Sequence, residues 1–399
     1  MPQYLAPGVY VEEVPSAIKP IAGVGTSTAG FVGVVADDVA MPLLPGRSGV
    51  QADGAVEPAD FHLVAPAGVA QLVDGWETFK NLFGDIQPGN QVLAHAAYGF
   101  FNNGGGRCWI TRVAGGGESL DDDLIEALET FTAIDEIALV AIPGAVSDAV
   151  QTKLVDHCEN QYLQDRFAIL DGRRTTTLTK AAIQGGVRDS SYGAIYYPWI
   201  DVGVTDDDGN PVYQPPSGHI AGVYARVDTE RGVHKAPANE VIRGALGVET
   251  LVSKQGQAGL NPDDINVIRR FDGNITIWGA RTLAGREQSE WRYISSRRLF
   301  NFLRESIDEG TRWVVFEPNA PELWSKIRRN VGAFLTTVWA SGALLGNTPE
   351  QAFYVRCDET VNPAGVRDAG QLVVEIGVAM VRPAEFVVFR ISQWAGGIQ

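Results

Sequence analysis

Between residues 108 and 197 the chain alternates short apolar runs with longer amphipathic ones, and this alternation constrains the fold more than any other feature. The pattern predicts strands over 108–113, 137–142, 166–170 and 193–197, with helices over 119–130, 147–163 and 176–187 between them. Repeating helix–strand units imply a parallel sheet covered by helices. The run Ala29-Gly-Phe-Val-Gly-Val-Val35 reads as one more buried strand. Helices are also expected over 76–83, stopped by Gly84, over 91–101, and over 217–227 with Ser217 as the cap. Beyond these, helix patterns over 287–309 and 321–344 alternate with strand patterns at 313–316 and 353–357. The fold class is α/β, α+β overall: a parallel-type middle sheet with helices, followed by a C-terminal α+β domain.

The two ends behave differently. Pro2, Pro7, Pro15 and Pro20 forbid a helix in the first twenty-odd residues, and Val9, Tyr10, Val11, Glu12, Glu13 and Val14 form a strand-like run between prolines. That run has no hairpin partner nearby, so the expected partner is a sheet edge on another copy of the chain. Twenty extended residues reach on the order of 70 Å, enough to cross to a neighbour. At the other end, 371–381 and 385–391 read as two strands turned at Arg382-Pro-Ala384. Phe386, Val387, Val388, Phe389, Arg390 and Ile391 form the second candidate exchanged strand. Links over 15–25 and 362–370 read as flexible. With 399 residues the chain exceeds one ordinary domain. The division expected is an extended arm (1–22), an N-terminal α/β segment with a loop-rich insertion (23–115), a middle acidic α/β domain (116–216), a C-terminal domain with two long helices (217–370) and a C-terminal arm (371–399).

Charge and motifs exclude most chemistries. Residues 1–219 hold 11 Lys+Arg against 28 Asp+Glu, while 220–399 hold 21 against 20, so the net charge of -16 lies in the N-terminal half. An acidic chain is a poor nucleic-acid binder. No apolar run approaches a membrane span, and the start lacks the basic-then-apolar order of a cleaved signal peptide. Ser27, in Gly25-Thr-Ser-Thr-Ala29, has a protease-like context but precedes every histidine, against the Asp, His, Ser order of such triads. Asn103-Gly-Gly-Gly-Arg107 could cradle a phosphate, yet a strand follows it and not a helix. Asp206-Asp-Asp-Gly-Asn210 lacks the later ligands of a calcium loop and reads as a turn. His62, His95, His157, His219 and His234 show no metal-ligand spacing, and Cys108, Cys158 and Cys357 form no Cys-x-x-Cys pair. No catalytic residue, metal or cofactor is expected. The competing reading is a nucleotide-binding α/β enzyme on the strands near 137, 166 and 193. Lys326, Arg328 and Arg329 cluster near the start of the second long helix, where cations want an acidic partner opposite.

Several separated motifs carry a family likeness. Tyr4-Leu-Ala-Pro-Gly-Val-Tyr-Val-Glu-Glu13, Phe100-Phe-Asn-Asn-Gly-Gly-Gly-Arg-Cys108, Pro215-Pro-Ser-Gly-His-Ile-Ala-Gly-Val-Tyr-Ala-Arg226, His234-Lys-Ala-Pro-Ala-Asn239 and Leu260-Asn-Pro-Asp-Asp-Ile-Asn-Val-Ile268 stand in order, followed by an Arg-rich helix after Trp278-Gly-Ala-Arg-Thr282. Together they resemble tail sheath proteins of contractile phage tails and of phage-tail-like injection systems. The likeness is dense from 215 to 399 and thin over 37–70 and 115–200. The resemblance implies a structural subunit with no catalytic site and a middle domain of subtilisin-like fold. It implies hexameric rings stacked helically around an inner tube and joined by strand exchange, and contraction from a metastable extended state drives the tube through a target envelope. The implied partners are other copies of the chain, the inner tube protein, with Lys326, Arg328 and Arg329 as its contact, and baseplate and tail terminator or cap proteins; neither nucleic acid nor membrane insertion is implied. The implied location is the bacterial cytoplasm during assembly, then the virion tail or a released extracellular particle.

Overall fold

The computed structural model describes residues 20–51, 55–115, 119–285 and 288–388. The strands are β1 (Ala29–Val34), β2 (Gln71–Val73), β3 (Cys108–Val113), β4 (Leu139–Ala141), β5 (Phe167–Asp171), β6 (Gly193–Tyr197), β7 (Ile200–Asp201), β8 (Glu240–Val241), β9 (Gly247–Val248), β10 (Ile265–Phe271), β11 (Asn274–Ile277), β12 (Phe353–Arg356) and β13 (Glu375–Val378). The helices are α1 (Trp76–Phe83), α2 (Gln91–Asn102), α3 (Leu120–Glu129), α4 (Asp148–Glu159), α5 (Lys180–Gln184), α6 (Ser217–Arg231), α7 (Lys254–Leu260), α8 (Ile294–Thr311), α9 (Pro321–Ala340), α10 (Pro349–Ala352) and α11 (Ala364–Asp368). The described residues form two compact units, one within 24–305 with 380–388 and one of 20–23 with 306–379.

The larger unit is built on a nine-stranded sheet in the order β2-β3-β1-β4-β5-β6-β10-β11-β8. The pairs from β3 through β10 are parallel, and β2, β11 and β8 add antiparallel edges. Parallel strands need both faces covered, and successive side chains point to opposite faces. Phe31, Phe167, Ile169 and Tyr196 join α2 and α6 in one core; Val32, Ala168, Leu170 and Ile195 join α3 and α4 in the other. Side chains of Ser119, Ser147, Thr179 and Ser253 accept the early amides that start α3, α4, α5 and α7. Nine of the strands between residues 29 and 277 share this sheet, while β7 and β9 pair in a small sheet of their own, so the segments 23–115 and 116–216 and the first part of 217–370 contribute to one body.

Several local expectations change. Ser217 is the first helical residue of α6 and not its cap, because its hydroxyl is spent on Asp171. The helix expected from 287 begins at Ile294, after a 3-10 turn at Ser289–Trp291. The apolar run 313–316 is no strand. A 3-10 turn covers Arg312–Val314, and Phe316 sits at φ 68, outside the extended range of a strand. The link 362–370 is folded: it contains α11, and the buried Asn362 side chain exchanges hydrogen bonds with the Val373 backbone. The C-terminal hairpin is also replaced. β13 pairs with β12, more than ten residues upstream, and the Ala379 amide and carbonyl are engaged by Ala352 and Leu345. The structure adds a β10–β11 hairpin to the expected strands, and Asp272-Gly273, both at positive φ, is its turn signal.

Candidate functional site

In a parallel sheet, ligands bind beyond the carboxyl ends of the strands. There the last residue of β5, Asp171, is buried, and its carboxylate accepts from the Gly144 amide (3.0 Å), the Ser217 amide (2.9 Å) and the Ser217 hydroxyl (2.7 Å). Burial pushes Asp171 up to about 6 against these three donors, which pull the other way. The start of α6, where a phosphate would bind, therefore already holds an anion from its own chain.

The other sequence candidates are structural as well. Asn103 is buried; its amide donates to the Gly99 and Arg243 carbonyls, and its oxygen accepts from the Arg243 amide. In the turn after it Gly104 packs against Arg226 and Gly105 against Phe100, and Gly106 alone of the three has open space beside it. Thr26, beside Ser27, donates to Asp228 (2.6 Å), and Arg298 holds both Asp228 and the Thr26 carbonyl. Arg297 lies over the Trp291 ring at 3.7 Å. The two arginines at the heart of the Arg-rich helix are thus buried in the body. His95 and His219, on the facing helices α2 and α6, are buried, and desolvation lowers both, His219 to about 3. Asp206 accepts from the amides of Asp208 and Asn210 in a closed turn. Among the described residues no group of three His, Cys, Asp or Glu could hold a metal ion, and no helix is long and apolar enough to cross a membrane.

What the smaller unit offers is surface. One face of α9 buries Leu323, Trp324, Ile327, Val331, Phe334, Leu335 and Val338. Lys326 and Arg329 are exposed or partly so, whereas Arg328 donates to the Cys357 carbonyl and to Ser325. Two of the three clustered cations therefore face outward. β12 and β13 form a two-stranded antiparallel sheet in which Tyr354 pairs with Gly377, its ring lying where a Cβ would stand. Among the described residues each strand is paired on one side. Beside this sheet lies a hollow of about 680 Å³ lined by residues including Val314, Leu323, Ile327, Leu372, Val374 and Ile376. Phe386, Val387 and Val388 are exposed and outside any strand; Phe389–Ile391 and Val9–Val14 lie outside the described residues.

A two-stranded sheet with edges unpaired among the described residues, and exposed apolar groups, are features of a protein that assembles with other chains. Residues 117–283 match the phage tail sheath protein central domain, and residues 286–393 match the phage tail sheath C-terminal domain. A prophage major tail sheath protein of Pseudomonas aeruginosa is 28% identical over 283 residues, 68% of this chain and 69% of that protein. A chain of the extracellular contractile injection system PVC sheath complex in the contracted state is 30% identical, with a TM-score of 0.74, covering 99% of both chains. A chain of the contracted anti-feeding prophage helical sheath is 30% identical, with a TM-score of 0.75, covering 98% of this chain and 99% of that one. The chain belongs to the tail sheath protein family. It is a structural subunit of a contractile tail sheath, in a phage tail or an extracellular injection particle, and its relatives are structural proteins and not enzymes.

Proposed function

We propose that this subunit forms hexameric rings that stack helically around an inner tube and are joined by strand exchange through residues 1–22 and 371–399. The observation that carries this reading is the β12–β13 sheet. It has only two strands, packed on α9, and each has an unpaired edge among the described residues. Strand addition from Val9–Val14 of one neighbour and Phe386–Ile391 of another would complete it, with main-chain hydrogen bonds for affinity and alternate side chains for register. Each bond contributes about 0.5–1.5 kcal/mol net, so a mesh of them holds while bodies rotate between two packings. Summed over many rings, a few kcal/mol per subunit does mechanical work without a nucleotide. Assembly takes place in the bacterial cytoplasm, with baseplate and tail terminator proteins bounding the sheath. Lys326 and Arg329, with Arg328 holding their turn of helix, face the tube.

The test is negative-stain microscopy of the pure protein with and without residues 1–20. Tubes or rings should form from the full chain and vanish on deletion, while circular dichroism reports a folded subunit. Unchanged tubes would remove the exchange model. For the tube contact, Lys326→Glu with Arg329→Glu should block co-assembly with the tube; normal sheath around a tube sinks that assignment.

A further inference from the structure

The segment after β13 is held at one carboxylate. Glu385 Oε1 accepts from Asn261 Nδ2 (2.8 Å) and Arg281 Nε (2.9 Å), and Oε2 accepts from Arg281 Nη2 (2.9 Å) and the Tyr293 hydroxyl (3.1 Å). The receptor is braced independently of Glu385. Arg281 Nη1 donates to the Asn261 carbonyl (2.7 Å), and the Arg281 backbone is bonded in both directions by the buried Asn266 side chain. A two-point arginine–carboxylate contact with two further donors, in a largely buried setting, is far stronger than an exposed ion pair. The next residue, Phe386, borders a hollow of about 360 Å³ formed with Ala258, Pro262 and Arg292. Phe386, Val387 and Val388 are exposed directly after this anchored point.

We infer that Glu385 is a latch: seated in the Arg281–Asn261–Tyr293 cage, it pins the root of the C-terminal segment to the body of its own chain, so that the part reaching another copy begins at Phe386. The role in assembly rests on the strand-exchange reading above; the pinning does not. A tether's origin and length set the effective concentration of its end at any acceptor. A pinned root therefore favours one acceptor distance, where a root released to Ala379 would serve several. The latch selects which neighbour receives the arm and keeps that choice the same in every ring.

The experiment uses the full chain with Glu385→Ala, Glu385→Gln and Tyr293→Phe. Chymotryptic cleavage after Phe386 in the unassembled subunit, which needs the chain around Glu385 free to enter the protease, should quicken roughly ten-fold, or about 1.4 kcal/mol, in Glu385→Ala, and less in the other two. Cleavage within β4–β6 should not change, which separates unlatching from unfolding. Microscopy of the same variants should show irregular or shortened tubes. Unchanged cleavage after Phe386 in Glu385→Ala overturns the latch. Faster cleavage with normal tubes overturns its role in assembly. Truncation after Glu385 tests the exchange reading separately: tubes that persist there sink that reading and leave the pinning intact.

Discussion

The Asp171 carboxylate accepts from both the amide and the hydroxyl of Ser217, at 2.9 and 2.7 Å, and so fixes the start of α6 to the end of β5. Asp171→Asn keeps the shape but turns one acceptor into a donor facing the Gly144 or Ser217 amide. A buried donor left without a partner costs about 1–3 kcal/mol. Thermal or urea unfolding of Asp171→Asn should report a loss of that size. An unchanged midpoint would mean that the carboxylate does not carry the helix start.

Acid should destabilise the body through its histidines. Burial lowers His219 to about 3 and His157 to about 4, the latter helped by the nearby Arg166 charge. Folded imidazoles held neutral cost nothing above the unfolded value near 6.5. Stability falls as pH drops from there toward the folded values, because the unfolded chain then binds more protons. Asp171 works in the opposite sense: raised to about 6, it binds a proton more readily when folded and adds stability as pH falls from 6 toward 4. The two histidines outweigh the one carboxylate, so urea midpoints should fall between pH 7 and pH 4.5. His157→Gln should flatten that slope. A slope unchanged in His157→Gln would show that this residue does not control it.

Much of this fold is written locally. The strands at 29–34, 108–113, 167–171 and 193–197 are apolar runs with turn signals at both ends, and they need both faces buried wherever they sit. What sequence alone misses depends on distant partners. Val314, Val315 and Phe316 have strand-like side chains, but a 3-10 turn takes up the start of the run and Phe316 stands at positive φ. Ser217 is a good cap residue by type, yet the remote Asp171 recruits its hydroxyl. Glu385 is one acid in an apolar run, and only folding brings Arg281, more than a hundred residues earlier, against it. At the candidate interface the outward cations Lys326 and Arg329 are legible in the sequence, whereas the internal use of Arg328 is not, because its acceptor is a backbone carbonyl of a separate strand end.

Two glycines on α6 let it lie against α2. A Cβ on Gly218 would stand 2.4 Å from the Ala96 carbonyl oxygen, and one on Gly222 would stand 2.4 Å from the Phe100 carbonyl oxygen. Backbone atoms cannot yield as side chains do, so Gly218→Ala forces the helices apart and should cost about 1–3 kcal/mol or more. Gly332 on α9 is the control, since a methyl group added there would meet nothing within 4 Å. Gly332→Ala should gain about 0.5–1 kcal/mol from helix propensity alone. Paired unfolding curves check the opposite signs; equal shifts would mean that the α2–α6 approach is not tight.

The open edge of the small sheet can be tested without touching its core. Along a strand, successive backbone N–H groups point to opposite sides; Ala379 donates to the Ala352 carbonyl, so Gly377, two residues back, faces β12 and Ile376 faces away from it. Proline removes that N–H. Ile376→Pro and Gly377→Pro should therefore differ. The variant that loses an internal ladder bond should destabilise the smaller unit by about 3 kcal/mol or more. The variant that loses the outward N–H should leave its unfolding midpoint close to that of the unaltered chain and still fail to form tubes, because a neighbour's strand would find no donor there. Differential scanning calorimetry sorts the two variants, and microscopy reads assembly. If the outward proline assembles as well as the unaltered chain, β13 is not the acceptor edge, and strand addition must act at the edge of β12.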